Sequence, residues 1–351
     1  MEKGKYTLSE ILNQAKAWDR ILIDFKKQKE VIKDLFNMQR FDRVVFTGCG
    51  SSYYLALSVA ATFQHLTGID AIGIPASEVF LFPDTIFCKR GKYLLVPISR
   101  SGETSETVKA AKFFLESFKG DILPISCYEK SSLAALSDEN LISFEGKEKS
   151  VVMTKSFTSM LLIVQLCAAI VAENQNFYQQ LQSLPSLGEK IIKKNRALME
   201  KVAQDSSLTK FIYLGSGPYY GLACEAALKV KEMAYVTSEV YHWLEFRHGP
   251  ISTIDKNTLL IGLFSNSAAK YERKLLQEAK SLGAKALIIA EQLEKDIGEN
   301  ADYLVILDSN LSDYARALLY MPSLHLLAYY KAIIKGANPD SPKNLSQVVR
   351  L

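Results

Sequence analysis

Paired cysteines are missing from this chain. Its five, Cys49, Cys88, Cys127, Cys167 and Cys224, stand tens of residues apart with no Cys-x-x-Cys among them. That spacing excludes a disulfide framework and a cysteine zinc site, and predicts reduced thiols in a cytoplasmic protein. No secretory leader is legible, which fits the same expectation. An excess of one charge is also missing: 42 Lys and Arg stand against 38 Asp and Glu, a net of +4. The basic residues are scattered, so no face for nucleic acid is predicted. No uninterrupted apolar run reaches the ~18 residues that cross a bilayer. The nearest, "SMLLIVQLCAAIVAENQ", is broken by Gln165 and reads as a buried helix, so no membrane partner is expected. What is present is ordinary core material. The 351 residues are 48% hydrophobic and 23% charged, enough for two domains of common size.

Short apolar strands alternate with segments of helical period. "RVVFTG", "AIGIPA", "KYLLVPIS" and "DILPISCY" lie in the first half, and "KFIYLG", "LLIGLFS", "KALIIA" and "YLVILD" in the second. Such an order predicts an α/β protein whose parallel sheets are covered by helices on both faces. The halves also repeat in letters: "FTGCGSSYYLALSVAA" aligns with "YLGSGPYYGLACEAAL". Gly48 pairs with Gly215, Gly50 with Gly217, Tyr53 with Tyr220 and Ala56 with Ala223, all at one offset. Two tandem copies of one unit follow. The predicted organisation is a helical segment over 1–35, a first unit over 36–175, a second over 195–340, and a tail over 341–351. Thr7, three residues before Glu10, reads as the N-cap of the first helix.

The stretch Ser99 to Thr107, "SRSGETSET", opens from a buried strand onto a helix. The first N–H groups of a helix have no internal partner, and that end favours anions. Ser99, Ser101 and Thr104 add hydroxyls, Arg100 adds a cation, and Gly102 lets backbone approach closely. A helix cap needs one hydroxyl; this stretch has several, which points to a phosphate monoester. "TGCGSS" repeats the logic at the first strand, with Gly48 and Gly50 permitting a tight turn and Ser51 and Ser52 offering hydroxyls. A dinucleotide fingerprint is excluded because Tyr53 stands at its third glycine and Asp70 precedes its strand. No cofactor or metal is expected. The second copy keeps Ser265 and Ser267 but loses the glycine, which predicts one phosphate site per chain and a structural second cup.

"EAALKVKE" places Glu225, Lys229 and Glu232 on one stripe of a helix. Spacing alone is equally the mark of a solvated Glu–Lys pair. The neighbours Ala223, Ala226, Ala227, Leu228, Val230, Met233 and Ala234 leave little of this helix polar, and charges on a mostly buried helix are paired or functional. A lone histidine such as His248 in "EFRHGP" is by itself either structural or functional.

Taken in order, "TGCGSS", "SRSGETSET", "TKSFT", "EAALKVKEMAY", "EFRHGP" and "NPDSPKNLSQVVRL" resemble the SIS (sugar isomerase) family over nearly the whole chain. They are similar to the isomerase half of glutamine–fructose-6-phosphate aminotransferase, to stand-alone amino-sugar-phosphate deaminases, and to tagatose-6-phosphate ketose/aldose isomerases. The resemblance implies two tandem flavodoxin-like three-layer units. It implies phosphate contacts from Ser52, Ser99, Arg100, Ser101 and Thr104, to which the reading of the 48–52 loop adds Gly50 and Ser51 as substrate-binding residues, and a sugar-side loop carrying Glu148 and Lys155, the latter equally readable as a cap on strand ends. Glu232 matches the base that moves a proton between C1 and C2, Lys229 the cation beside the enediolate, with Glu225 on the same stripe. Desolvation of Glu232 would raise its pKa. His248 matches a ring-opening histidine that enters the neighbouring subunit's site, which implies a homodimer. His65, His242 and His325 match no motif. Gln347 stands where the aminotransferases carry a Schiff-base lysine, and an amide cannot form an imine. With no glutaminase half in the sequence, glutamine-dependent amination is not expected. The expected activity is deamination and isomerisation of a hexosamine 6-phosphate, with isomerisation of a neutral hexose 6-phosphate, or ligand sensing without turnover, as alternatives.

Overall fold

The computed structural model describes residues 3–38, 41–88 and 90–349. Its first elements are α1 (Lys5–Leu12), α2 (Gln14–Asp24), α3 (Lys29–Met38), β1 (Arg43–Gly48), α4 (Ser51–Thr67), β2 (Asp70–Pro75) and α5 (Ala76–Leu81). Then come β3 (Tyr93–Pro97), α6 (Ser105–Phe118), β4 (Asp121–Ile122), β5 (Ile125–Ser126), β6 (Leu141–Ile142), α7 (Lys155–Val171) and α8 (Gln175–Gln182). The second half holds α9 (Leu184–Gln204), β7 (Lys210–Leu214), α10 (Pro218–Ala234), β8 (Ser238–Tyr241), β9 (Thr258–Leu263) and α11 (Ala269–Ser281). It closes with β10 (Lys285–Ala290), α12 (Lys295–Asn300), β11 (Tyr303–Ile306), α13 (Asp313–Arg316) and α14 (Met321–Ile334).

Contact density divides the chain into two units. One joins the chain up to Leu12 with Ser186–Leu345, and the other joins Asn13–Pro185 with the residues from Ser346 onward. The 1–35 helical segment is therefore shared out, α1 going to one unit and α2 and α3 to the other.

The amino-terminal unit holds a parallel four-stranded sheet in the order β2-β1-β3-β4. Its central strand β3 is buried along its whole length, as a strand covered on both faces must be. The carboxyl-terminal unit holds a parallel five-stranded sheet, β11-β10-β9-β7-β8. Ile212, Leu214, Leu260 and Ile288 form a core with Leu275 and Leu276 of α11, while α10 packs on β7 and β8. The predicted α/β class with parallel sheets is the observed one. In each sheet the strand order reverses beside the first strand, between β1 and β3 and between β7 and β9. Ligands of open α/β sheets bind at such a switch point, beyond the carboxyl ends of the strands.

Two local expectations change. Thr7 does not cap α1, which starts at Lys5. The amides of Tyr6 and Thr7 and the Thr7 hydroxyl instead donate to the Asp340 carboxylate, at 3.3, 2.8 and 2.8 Å. A carboxylate satisfies several orphan donors where a hydroxyl satisfies one. The most membrane-like segment is Asp313–Ile334 rather than α7, and 89% of its apolar window is buried inside the protein, so it is a core helix of its unit.

Candidate active site

In the amino-terminal unit, register sets the two serine loops side by side. Thr47 of β1 pairs with Pro97 of β3, and the Ile98 amide donates to the Thr47 carbonyl at 2.8 Å. The 48–52 and 99–104 loops therefore leave the sheet at the same edge, flanking the switch point. Gly48 is required by crowding: a Cβ there would stand 2.6 Å from the Ser52 Cβ and 2.8 Å from the Ile98 carbonyl oxygen. Gly102 has φ +69°, and a Cβ on it would meet the Ser131 Oγ at 2.1 Å, so no larger residue fits. Gly50 precedes α4, and Ser51 and Ser52, both buried, open that helix.

The hydroxyls of the cup face one another. Ser99 Oγ lies 3.1 Å from Thr104 Oγ1 and accepts from the Gly102 amide at 3.1 Å, while Ser101 Oγ accepts from the Glu103 amide at 3.1 Å. Thr104 is the N-cap residue of α6, yet its side chain does not close on that helix. Simple capping is thus not what its hydroxyl does. The Ser105 amide donates to the Val349 carbonyl at 3.3 Å, so the C-terminal tail of this unit lies across the head of α6.

Arg100 is buried and committed to protein groups. It pairs with Glu148 at 3.4 Å and donates to the carbonyls of Val151 at 2.9 Å and Gln347 at 3.3 Å. Glu148 also accepts from the Thr154 amide and hydroxyl at 2.8 and 2.9 Å, and from Ser156. The Gln347 amide donates to the Ser150 carbonyl at 3.0 Å. Arg100, Glu148 and Gln347 thus tie the serine loop, the 148–151 loop and the tail into one frame. Lys155 opens α7. Its ammonium has no hydrogen-bond partner among the described residues.

In the carboxyl-terminal unit the corresponding cup is filled by the chain itself. Asp313 accepts from the amides of Asn266 and Ser267 at 2.9 and 3.0 Å and from the Ser267 hydroxyl at 2.7 Å. Glu272 takes the Ser265 amide and hydroxyl at 2.8 and 3.1 Å. Burial pushes the Glu272 carboxyl up to about 8, against the pull of the Ser265 bonds. Burial also works to raise Asp313, but its donors and Arg316 hold it below the usual carboxylate range. The anion position of this repeat is occupied by carboxylates, as expected of a structural second cup.

That repeat instead carries the acid–base stripe. On α10, Lys229 pairs with Glu225 at 3.4 Å and with Glu232. Glu225 and Lys229 are fully buried, whereas the Glu232 side chain keeps 19% of its surface. The apolar burial anticipated for Glu232 therefore falls on Glu225, and Glu232 reaches solvent with Lys229 behind it. Burial alone would lower the Lys229 pKa; Glu225 and Glu232 together more than offset it, and the ammonium stands above ordinary lysine. Such a carboxylate can accept a proton next to a cation that steadies a developing oxyanion. His248 is exposed beyond the turn Glu245–Arg247, its ring unbonded among the described residues.

His325, assigned no role from sequence, sits on α14 fully buried next to this stripe, both ring nitrogens without hydrogen-bond partners among the described residues. Burial, and then the nearby Lys229 charge, hold its pKa down to about 3 from an ordinary 6.5. The only sequence signal was a titratable ring in the buried helix "MPSLHLLAYY". An unfolded chain protonates this histidine near pH 6.5 and the folded one does not until about pH 3. Stability is therefore full above pH 6.5 and falls with acidification, by about 1.4 kcal/mol per pH unit. His325→Gln should remove that slope between pH 6 and 4 in urea unfolding. An unchanged slope would mean the ring is accessible to protons in the native state.

Two parallel α/β units, one with a hydroxyl-lined loop and the other with a Glu–Lys–Glu stripe, define a tandem-repeat α/β protein. A family model described as SIS domain matches residues 38–170 and 207–334, and the chain belongs to the SIS domain family. The glutamine–fructose-6-phosphate aminotransferase of Pyrococcus horikoshii is 30% identical over 359 residues, covering 99% of this chain and 58% of that protein. The chain thus spans a little over half the length of such curated relatives. Among solved structures, glucosamine-6-phosphate deaminase from Thermotoga maritima has a TM-score of 0.82 at 30% identity, covering 99% of this chain and 100% of its own. Tagatose-6-phosphate ketose/aldose isomerase from Escherichia coli has a TM-score of 0.88 at 25% identity, covering 97% and 96%.

Proposed function

We propose that the protein is a sugar-phosphate isomerase of the deaminating kind, acting on a hexosamine 6-phosphate. The observation that carries this reading is the asymmetry of the repeats. Asp313 accepts from the amides of one loop, while the other loop presents Ser99, Ser101 and Thr104 with no carboxylate bonded to their hydroxyls among the described residues. The 6-phosphate is assigned to that cup and to Gly50, Ser51 and Ser52, with Arg100, Lys155 and Gln347 framing the ligand. His248, supplied by the partner protomer of a homodimer, assists ring opening. Glu232 takes the C2 proton of the open-chain aldehyde and returns it to C1, and Lys229 steadies the intermediate oxygen, with Glu225 holding Lys229 in place. The C2 amine becomes an imine, and water converts it to ketose phosphate and ammonia. Gln347 cannot form an imine with the sugar, so no covalent capture is assigned to it.

The likeness to the Escherichia coli tagatose-6-phosphate enzyme favours a second reading, in which the same relay exchanges a neutral aldose and ketose phosphate. The test is a substrate panel. Ammonia release from glucosamine 6-phosphate or galactosamine 6-phosphate is the expected result. Proton exchange by NMR on tagatose 6-phosphate, with no ammonia from either amino sugar, would replace the first reading by the second. Binding without either reaction would make the protein a sensor.

A further inference from the structure

The carboxyl-terminal unit holds a cavity of about 360 Å³ that plays no part in the chemistry above. Its walls come from residues just before β7 and β8, from the end of α9, and from Lys331, Ile334 and Lys335 at the end of α14. It lies at the amino-terminal edge of these strands, whereas the filled Ser265 cup lies beyond the carboxyl end of β9. None of the lining residues is acidic.

Lys331 is only 6% exposed. Its ammonium donates to the carbonyls of Ala203 and Asp205 at 3.2 and 3.0 Å and lies 5.7 Å from the Phe211 ring centroid. Capping the end of α9 accounts for two of its three protons. The carboxylate close by is already engaged, since Asp205 binds Lys285 at 2.7 Å and Ser207. Lys335 is exposed and donates at 3.4 Å to the Tyr235 carbonyl; burial lowers the Lys331 pKa, the nearby Asp205 charge partly offsets it, and the Lys335 charge adds to the lowering. Two cations thus share one concave site with no counter-charge in its lining.

Tyr235 also lines the cavity, 43% exposed, with a left-handed backbone of φ 53°. That conformation usually falls to glycine at a helix end and costs a residue with a Cβ about 1 kcal/mol. The tyrosine ring therefore stands at the rim against a backbone preference. Lys343 lies 6.0 Å from the ring centroid, and Ser206, Thr209 and Thr237 add hydroxyls. The volume suits a small metabolite.

We propose that this cavity is a second anion site, binding a phosphate monoester through Lys331 and Lys335 with its organic part against Tyr235. The assignment does not depend on the proposed reaction. Phenyl phosphate is the probe, followed through the Ile334 and Thr237 methyl signals in NMR. A Ser99→Ala, Thr104→Ala background removes the contribution of the other cup. The expected result is a saturable shift in wild type and in that background. Lys335→Glu should weaken it at least tenfold, Lys331→Met should abolish it, and phenol should produce none. Lys335 is exposed, so its variant tests the site even where loss of the Lys331 cap disturbs folding. No shift, an equal response to phenol, or an unchanged dissociation constant in Lys335→Glu would overturn the proposal.

Discussion

Glu232→Gln is expected to lower turnover by about 10² to 10⁴-fold, the usual worth of a positioned general base, with substrate affinity nearly unchanged. Glutamine keeps the size of the side chain and leaves an amide oxygen for Lys229, so the stripe on α10 stays paired. It cannot take up the C2 proton that the proposed reaction assigns to Glu232. Loss in turnover with binding retained is the pattern of a group needed only in the transition state. Steady-state rates on the responsive amino sugar phosphate, with a direct binding measurement, read both quantities. Turnover equal to wild type would remove Glu232 as the base, and affinity lost in parallel would make it a binding residue.

Lys229→Met should destabilise the protein by about 3–5 kcal/mol, because it strands the Glu225 carboxylate in the interior without its partner. Both side chains are almost wholly excluded from solvent, at 1% and 0%, so screening by water does not reduce the figure. Adding Glu225→Gln should recover part of the loss, since a neutral amide is less penalised than an unpaired charge. The two single variants and the double one, compared in urea unfolding, form a cycle that isolates the pair. A loss below about 1 kcal/mol in Lys229→Met would show that the carboxylate takes up a proton or finds another donor. Glu225 would then lose the positioning role proposed for it.

Much of the fold was legible because parallel strands covered on both faces must be apolar along their length, and β3 and β9 are. The repeat was legible because the tight strand-to-helix turn demands glycine at fixed positions, Gly48 and Gly215 among them. The clustering of Ser99, Ser101 and Thr104 was legible because these hydroxyls are neighbours in sequence. Arg100 shows where this kind of reading fails. Its place in "SRSG" suggested a ligand contact, and nothing in that stretch foretold that its guanidinium also bonds Glu148, Val151 and the tail. Thr7 failed for the same reason, its partner Asp340 lying 333 residues away.

By itself, then, the sequence determined most strands and helices and their duplication, which rest on neighbours along the chain; it missed β8 and read β4 and β5, which lie in different sheets, as one strand. Only the tertiary structure decided that Asp313 closes the second cup, that Glu225 rather than Glu232 is the buried carboxylate, and that His325 stands beside Lys229. Burial and electrostatic partnership are properties of distance in space, and the residues that set them here are separated by tens to hundreds of positions.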